Sequence, residues 1–112
     1  MITSTKQRSR TLPQALLVVA ATIDPAVEQE WNAWYNGEHL PEILACPHFD
    51  EAARYVSEEH GIRKYLTVYC LASEEAVKTP EFASARGWGQ FAEKVHATTR
   101  LYKRFHGAIH ER

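Results

Sequence analysis

The chain contains few cysteines and no long hydrophobic run. Its 112 residues include two cysteines, Cys46 and Cys70, without CxxC spacing, which argues against a disulfide framework and a structural zinc site. The longest apolar run, residues 15–21, is far shorter than the ~20 residues that cross a bilayer. The first ten residues also lack the apolar core of a signal peptide. We therefore expect a cytoplasmic protein that has no membrane partner.

The chain also lacks an excess of either charge. It has 13 basic and 14 acidic residues and a net charge of −1, so no general attraction to nucleic acid or to an anionic membrane is expected. The expected partners are a small-molecule ligand and a second copy of the chain. Residues 1–12, which are polar and basic, have the composition of a disordered N-terminal arm. Residues 13–112 fit a single domain.

The first half of the domain predicts a strand followed by a helix. Residues 15–22 form an apolar run with β-branched residues, which is typical of a buried strand. Asp24 and Pro25 have the pattern of a helix start. We expect this helix to end near His39, because Pro41 lacks a backbone N–H and clashes with the preceding turn.

The second half predicts a hairpin, a helical region and a last strand. Residues 49–56 and 62–71 are rich in alternating or β-branched and aromatic residues, which indicates the two strands of a hairpin. Ser73 is a natural N-cap for a short helix. Pro80 begins a second helix that we expect to continue into the segment GWGQFAEKVHATT. Residues 100–109 are predicted to form the last strand.

The resulting order, β-α-β-β-α-β, predicts an α+β fold of the ferredoxin-like type. Such a fold has a four-stranded antiparallel sheet with both helices on one face. The other face must also be covered, and 45% of the residues are hydrophobic. We therefore expect a homodimer in which the same face of a second copy closes the two sheets into a barrel.

The end of the first helix carries the strongest candidate site. On a regular helix Trp31, Trp34 and Glu38 lie on one side, so the Glu38 carboxylate is expected on the apolar stripe, with Tyr35 and His39 beside it. A desolvated Glu38 could act as an acid or a base, or orient His39. The structural alternative is that Glu38 caps a backbone group or pairs with an arginine such as Arg54. We leave both open for Glu38 and favour the site for His39.

Aromatic and basic residues elsewhere complete the candidate pocket. Tyr65 and Tyr69 share one face of the strand 62–71, but the sequence leaves open which face contacts the helices. Ordinary strand packing is the alternative role for each tyrosine. Arg54 could anchor a substrate carboxylate, enolate or phenolate, although we favour inter-subunit salt bridges or a strand end in solvent. The expected substrate-binding residues are Trp31, Trp34, Arg54, Tyr55, Tyr65, Tyr69 and Trp88.

Three short motifs carry a family resemblance. A W-Y-x-x-E-H-L-P segment (residues 34–41) closes the first helix, and a C-P-x-F turn (46–49) and an A-x-R-Y strand (52–55) follow. These motifs resemble the dimeric α+β barrel superfamily and, within it, the EthD-like and related small proteins. His48 is a departure, because the similar proteins commonly have glycine there. The resemblance implies the fold, but the superfamily includes monooxygenases, isomerases, cyclases, haem enzymes and binding modules.

The histidines do not predict a metal site. His106 and His110 lie four residues apart, which on a strand separates them by roughly 13 Å, too far to share one ion. A haem site needs only one histidine and stays open as an alternative.

Together these patterns predict an enzyme without a cofactor that acts on a small aromatic or carbonyl compound. The expected reaction is an isomerisation, cyclisation, lyase step or oxygenation by acid–base catalysis in a pocket between helices and sheet. His39 is the expected base, Glu38 its orienter or the acid, and Tyr35 completes the catalytic set. The alternatives are a non-catalytic module that binds a small ligand and a haem-binding or haem-degrading protein.

Overall fold

Residues 12–106 are described in the computed structural model of the chain. Four antiparallel strands form one sheet in the order β2-β3-β1-β4. The strands are β1 (Ala15–Ile23), β2 (Phe49–Glu59), β3 (Ile62–Leu71) and β4 (Val95–Lys103). The α+β, ferredoxin-like class with a four-stranded antiparallel sheet is confirmed. Residues 1–11 of the predicted arm, residues 107–109 of the predicted last strand, and His110 lie outside the described residues.

Strand β1 is the apolar run and occupies a central place in the sheet. Its odd-numbered residues, among them Leu17 and Val19, are buried beneath the helices, whereas Leu16 and Val18 on the opposite face are half-buried. This alternation follows from the two-residue period of a strand. The predicted strand is confirmed and is one residue longer.

Strands β2 and β3 form the predicted hairpin with a tighter turn than expected. The last pair is Glu59 opposite Ile62, so His60 and Gly61 alone make the loop. Their φ angles are 54° and 78°, as in a type I′ turn, whose twist matches that of the two strands. Strand β2 therefore continues beyond residue 56, where we predicted its end.

The first helical connection is one continuous helical stretch made of four segments. A 3₁₀ turn (Pro25–Val27) leads into α1 (Glu28–Trp34), a π-helical turn (Tyr35–His39) and α2 (Leu40–Leu44). Asp24 caps the start, accepting a hydrogen bond from the Ala26 N–H at 2.9 Å.

The prediction that Pro41 ends this helix is wrong. In a regular helix its ring clashes with the carbonyl of residue 37. Here the backbone widens just before the proline, and the Leu40 N–H bonds the Tyr35 carbonyl, five residues earlier. The wider turn accommodates the ring, and the helix continues to Leu44. A sharp backbone turn follows, in which His48 has a φ of 74°, a conformation that favours glycine.

The second helical connection consists of a 3₁₀ turn (Glu74–Lys78), α3 (Pro80–Ala85) and a 3₁₀ turn (Gly89–Phe91). The predicted N-cap at Ser73 is confirmed, because its side chain accepts a hydrogen bond from the Glu75 N–H, as is the restart at Pro80.

Residues 95–99, which we placed in this helical region, instead begin β4. The prediction that the last strand begins at residue 100 is therefore wrong. Val95 through Lys103 pair with all nine residues of β1, and this pairing outweighs the helical pattern of the preceding residues.

The core lies between the helices and one face of the sheet. Trp31, Tyr35, Tyr69 and Leu71 are almost completely buried there. Within residues 12–106 no helix is long and apolar enough to cross a membrane. Both cysteines belong to this part of the chain and form no disulfide.

Candidate active site

A cavity of about 550 Å³ opens between the helices and the sheet. We call it the helix–sheet cavity. Its size lies within the range of small-molecule pockets. Its wall is mainly apolar, from Leu17, Val19, Ile43, Val77, Phe82, Ala83 and Leu101. The remaining wall residues are Tyr35, His39, Tyr69, Arg86, Gly87, Trp88 and Thr99.

His39 brings a buried imidazole to this wall. It closes the π-helical turn and is 5% exposed. Its ring stacks on Trp34, with 4.7 Å between centroids, and meets Tyr35 and Trp88 at 5.1 and 5.5 Å. Burial, together with the positive charge of Arg54, lowers the pKa of His39 to about 4. The imidazole is therefore neutral at pH 7 and has a lone pair with which to accept a proton.

Two tyrosine hydroxyls meet where the π-helical turn packs against β3. The Thr67 hydroxyl donates to the Tyr35 oxygen at 2.8 Å, and the Tyr35 and Tyr69 oxygens are 3.5 Å apart. Strand β3 thus turns Thr67 and Tyr69 to the helices, which settles the face that the sequence left open. Burial raises the pKa of Tyr69 well above its usual range, and the nearby Tyr35 raises it further. The Tyr69 phenol consequently keeps its proton and can donate a hydrogen bond.

Arg54 lies behind Tyr35 and not on the cavity wall. Its Cζ atom is 4.0 Å from the Tyr35 ring centroid, a cation–π distance. Its Nη1 and Nη2 donate to the Asn36 and Asn32 side-chain oxygens at 2.8 and 2.9 Å. Its Nε is buried and has no hydrogen-bond partner among residues 12–106. Arg54 therefore acts on the cavity from behind its wall, through the electrostatic effect of its charge on wall residues such as His39 and Tyr69.

A separate polar cluster occupies the start of α1. The Glu28 carboxylate accepts hydrogen bonds from Arg63, at 2.7 Å, and from the Tyr65 hydroxyl. Both bonds lower the pKa of Glu28, and the bond from Arg63 has the larger effect. The Asn32 amide donates to the same Tyr65 oxygen at 3.0 Å. Tyr65 thus joins α1 to the sheet.

Residues 14–105 match a family described as a domain of unknown function, DUF4286. The chain belongs to the DUF4286 family. Among proteins with curated functions, none matches this DUF4286 chain.

Solved structures that share this fold include an oxygenase, an EthD family protein and a monooxygenase. SnoaB from Streptomyces nogalater, a cofactor-independent oxygenase, is 13% identical, with a TM-score of 0.57 over 87% of this chain and 98% of SnoaB. An ethyl tert-butyl ether d (EthD) family protein from Bacillus halodurans is 15% identical, with a TM-score of 0.58 over 81% and 99%. A monooxygenase from the gene ActVA-Orf6 of Streptomyces coelicolor, solved with nanaomycin D, is 18% identical, with a TM-score of 0.53 over 83% and 89%. The fold that the predicted resemblance implied is confirmed, because these structures share it with this chain.

The structure brings four of the predicted site residues together. Tyr35, His39, Tyr69 and Trp88 all line the helix–sheet cavity. Trp31 and Trp34 support this wall from behind, because Trp31 is fully buried and Trp34 stacks on the imidazole.

The expectation that Glu38 lies on the buried stripe is wrong. Its side chain is exposed and is absent from the cavity wall. The π-helical turn is the reason, because its wider winding turns the chain through less than the α-helical ~100° per residue, so residue 38 falls short of the buried side and residue 39 reaches it. Tyr35 and His39 therefore follow Trp31 into the core, and Glu38 is turned to solvent.

Three further predictions are corrected by strand geometry and side-chain contacts. Tyr55 is 57% exposed and lies on the sheet face away from the cavity, because its neighbour Arg54 faces the helices. The two Nη groups of Arg54 and the hydroxyl of Tyr65 are held by the contacts described above. These three residues therefore do not line the cavity.

Sequence reasoning missed Arg86 and Thr99. Thr99 reaches the wall because β4 begins earlier than predicted. Arg86 was overlooked within the segment RGWG, although a cation next to two glycines and a tryptophan is a signal that could have singled it out. The described residues contain no group of three His, Cys, Asp or Glu side chains placed to hold a metal ion.

Proposed function

We propose that this protein is a small-molecule enzyme that removes a proton from the carbon next to a carbonyl group in a compact aromatic ligand, without a metal or an organic cofactor. The observation that supports this most directly is the neutral imidazole of His39 on the wall of a cavity that Tyr35 and Tyr69 also line. General bases placed in this way contribute typically 10²–10⁴-fold to a rate.

The three groups divide the reaction between them. His39 accepts the proton, while Tyr35 and Tyr69 donate hydrogen bonds to the oxygen on which the enolate charge develops. An imidazole whose pKa is about 4 is a weak base in the empty cavity. The developing enolate places a negative charge beside it, and this charge strengthens the base as the proton moves.

The fold comparisons support the same class of chemistry. SnoaB is described as a cofactor-independent oxygenase and the ActVA-Orf6 protein as a monooxygenase. In an enzyme of that type, an electron-rich carbanion formed by proton removal can be oxidised by O₂. The proton step comes first, and we take it as the step to test.

The test measures hydrogen exchange at an activated carbon. 2-Tetralone, a two-ring ketone with a methylene between its carbonyl and its aromatic ring, is incubated anaerobically in D₂O with the protein, and proton NMR follows loss of the methylene signal. Wild type should accelerate exchange, and His39→Gln should reduce that acceleration about 100-fold.

Glu38→Gln is the matched control, because Glu38 lies outside the cavity, and it should behave as wild type. Equal exchange in wild type and His39→Gln would exclude His39 as the base. Binding of the ketone without accelerated exchange would instead identify a non-catalytic binding module.

We further propose that the protein is a homodimer. The sheet face opposite the helices presents a half-buried apolar patch formed by Leu16, Val18, Leu66 and Val68. It is flanked by Tyr55 and Tyr102, which are 57% and 49% exposed. Contiguous apolar surface of this kind is typical of interfaces, and the same face of a second copy is its simplest cover.

A further inference from the structure

The loop between α3 and β4 holds a cation at the opening of the helix–sheet cavity. The Arg86 N–H bonds the Phe82 carbonyl at 2.9 Å and closes α3. Two residues later, Trp88 packs against His39 and Tyr35, with ring centroids 5.5 and 5.6 Å apart. Arg86 lies between these two fixed points, so its backbone position is defined from both sides. Its side chain is exposed and also lines the cavity, which places it at the opening.

The backbone geometry of this loop depends on its glycines. Gly87 has a φ of 112°, a backbone conformation that residues with a side chain rarely adopt. At Gly89 an added Cβ would lie 3.4 Å from the Trp34 ring, so the loop approaches that ring closely. The chain thus turns sharply after Arg86 and packs Trp88 and Gly89 onto the aromatic wall.

Arg86 has no counter-charge in the described part of the chain. No carboxylate of residues 12–106 forms an ion pair with it, and the cavity wall contains no aspartate or glutamate. Because His39 is neutral at pH 7, the wall carries one positive charge, at its opening. The other wall residues are uncharged.

We infer that the helix–sheet cavity binds a ligand in which a planar apolar body is joined to a carboxylate, and that Arg86 holds the carboxylate. This inference names the substrate class of the proposed site and rests on the proposal that the cavity binds a small molecule. A guanidinium offers a planar fork of donors that matches a carboxylate in two parallel hydrogen bonds. The apolar body then lies inside, between Trp88 and the sheet, with its reactive carbon toward His39.

A matched pair of ligands isolates the charge. Naphthalene-2-carboxylate and naphthalene-2-carboxamide have nearly the same shape, and only the first is an anion. Isothermal titration calorimetry at pH 7.5 should show wild type binding the carboxylate roughly fivefold more tightly than the amide, as for an ion pair open to water. Higher salt should reduce this preference, because it screens exposed charges.

Three variants locate the effect. Arg86→Gln should abolish the preference, and Arg86→Lys should restore part of it, because the charge returns without the planar fork. Arg104→Gln removes an exposed cation that is not part of the cavity wall and should leave the preference as in wild type.

Equal affinity of wild type for the two ligands, or binding of neither, would overturn the inference. So would a preference that persists in Arg86→Gln. A preference for the carboxylate without 2-tetralone exchange would keep the anion site and refute the enzymatic proposal. Exchange of 2-tetralone without any preference for the carboxylate would refute the anion site and keep the enzymatic proposal.

Discussion

The buried imidazole of His39 predicts a specific loss of stability in mild acid. In the unfolded chain this ring takes up its proton near its ordinary pKa of 6.5, whereas in the folded protein burial and Arg54 lower the pKa to about 4. Between these two values the unfolded state binds more protons than the folded state. The stabilising contribution is therefore complete above pH 6.5 and is lost as the pH falls toward 4.

The magnitude follows from the two pKa values. A lowering from 6.5 to about 4 corresponds to about 3 kcal/mol when the full range is crossed. Most of this loss occurs above pH 5, before the carboxyl groups, whose ordinary pKa values are about 4, take up protons. At pH 5 the folded protein should already be about 2 kcal/mol less stable, relative to pH 7.5, through His39 alone.

Urea unfolding followed by tryptophan fluorescence measures this effect. The free energy of unfolding is determined for wild type and His39→Gln at intervals from pH 7.5 to pH 5. The glutamine cannot take up a proton, so the variant should lose about 2 kcal/mol less over this interval than wild type. His106→Gln is the control, because that ring is exposed, and it should follow wild type.

Two results would refute the reasoning. The first is an equal pH dependence of stability in wild type and His39→Gln. The second is an NMR titration of the folded protein in which the His39 ring takes up its proton near pH 6.5. Either would mean that water reaches the imidazole more freely than its 5% exposure indicates.

Three other perturbations probe Arg54, the loop and the dimer. Arg54→Gln should raise the pKa of His39, because it removes a nearby positive charge, and an unchanged NMR titration would contradict this. Gly87→Ala should cost about 1–2 kcal/mol in urea unfolding, because its φ is 112°. Gly37→Ala, in a helical turn with equal space, should not destabilise, and equal losses would exclude backbone strain. Val18→Lys should convert a dimer into a monomer by light scattering; an unchanged mass would exclude this sheet face as the interface.

The elements that could be predicted from the sequence are those whose patterns are local. Strand β1 is visible because an apolar, β-branched run has few alternatives in a chain of this size. The caps at Asp24 and Ser73 are equally local, because the side chain bonds a backbone N–H only two residues away. The position of β4 is not local. Nine pairs with β1 set its start at Val95; the β-branched residues within 95–99 favour a strand but do not fix where it begins.

The candidate site was predicted in part for a related reason. His39 and Tyr35 could be identified because an imidazole and a phenol at the end of a tryptophan-rich helix are candidates whatever the exact helical rotation per residue. The face assigned to Glu38 assumed a constant 100° per residue, and the π-helical turn breaks that assumption. Arg86 is brought to the cavity by a loop that follows another helix, and only the tertiary structure reveals this proximity.

Pro41 links this local irregularity to the chemistry of the cavity. A regular helix would place the proline ring against the carbonyl of residue 37, so the backbone widens over Tyr35–His39. The widened turn brings His39, in place of Glu38, to the buried side, where Trp34 and Trp88 hold the imidazole away from water. Burial then keeps the ring neutral even well below pH 7. One residue unsuited to a helix interior thus determines which of two adjacent ionisable side chains, Glu38 or His39, faces the cavity.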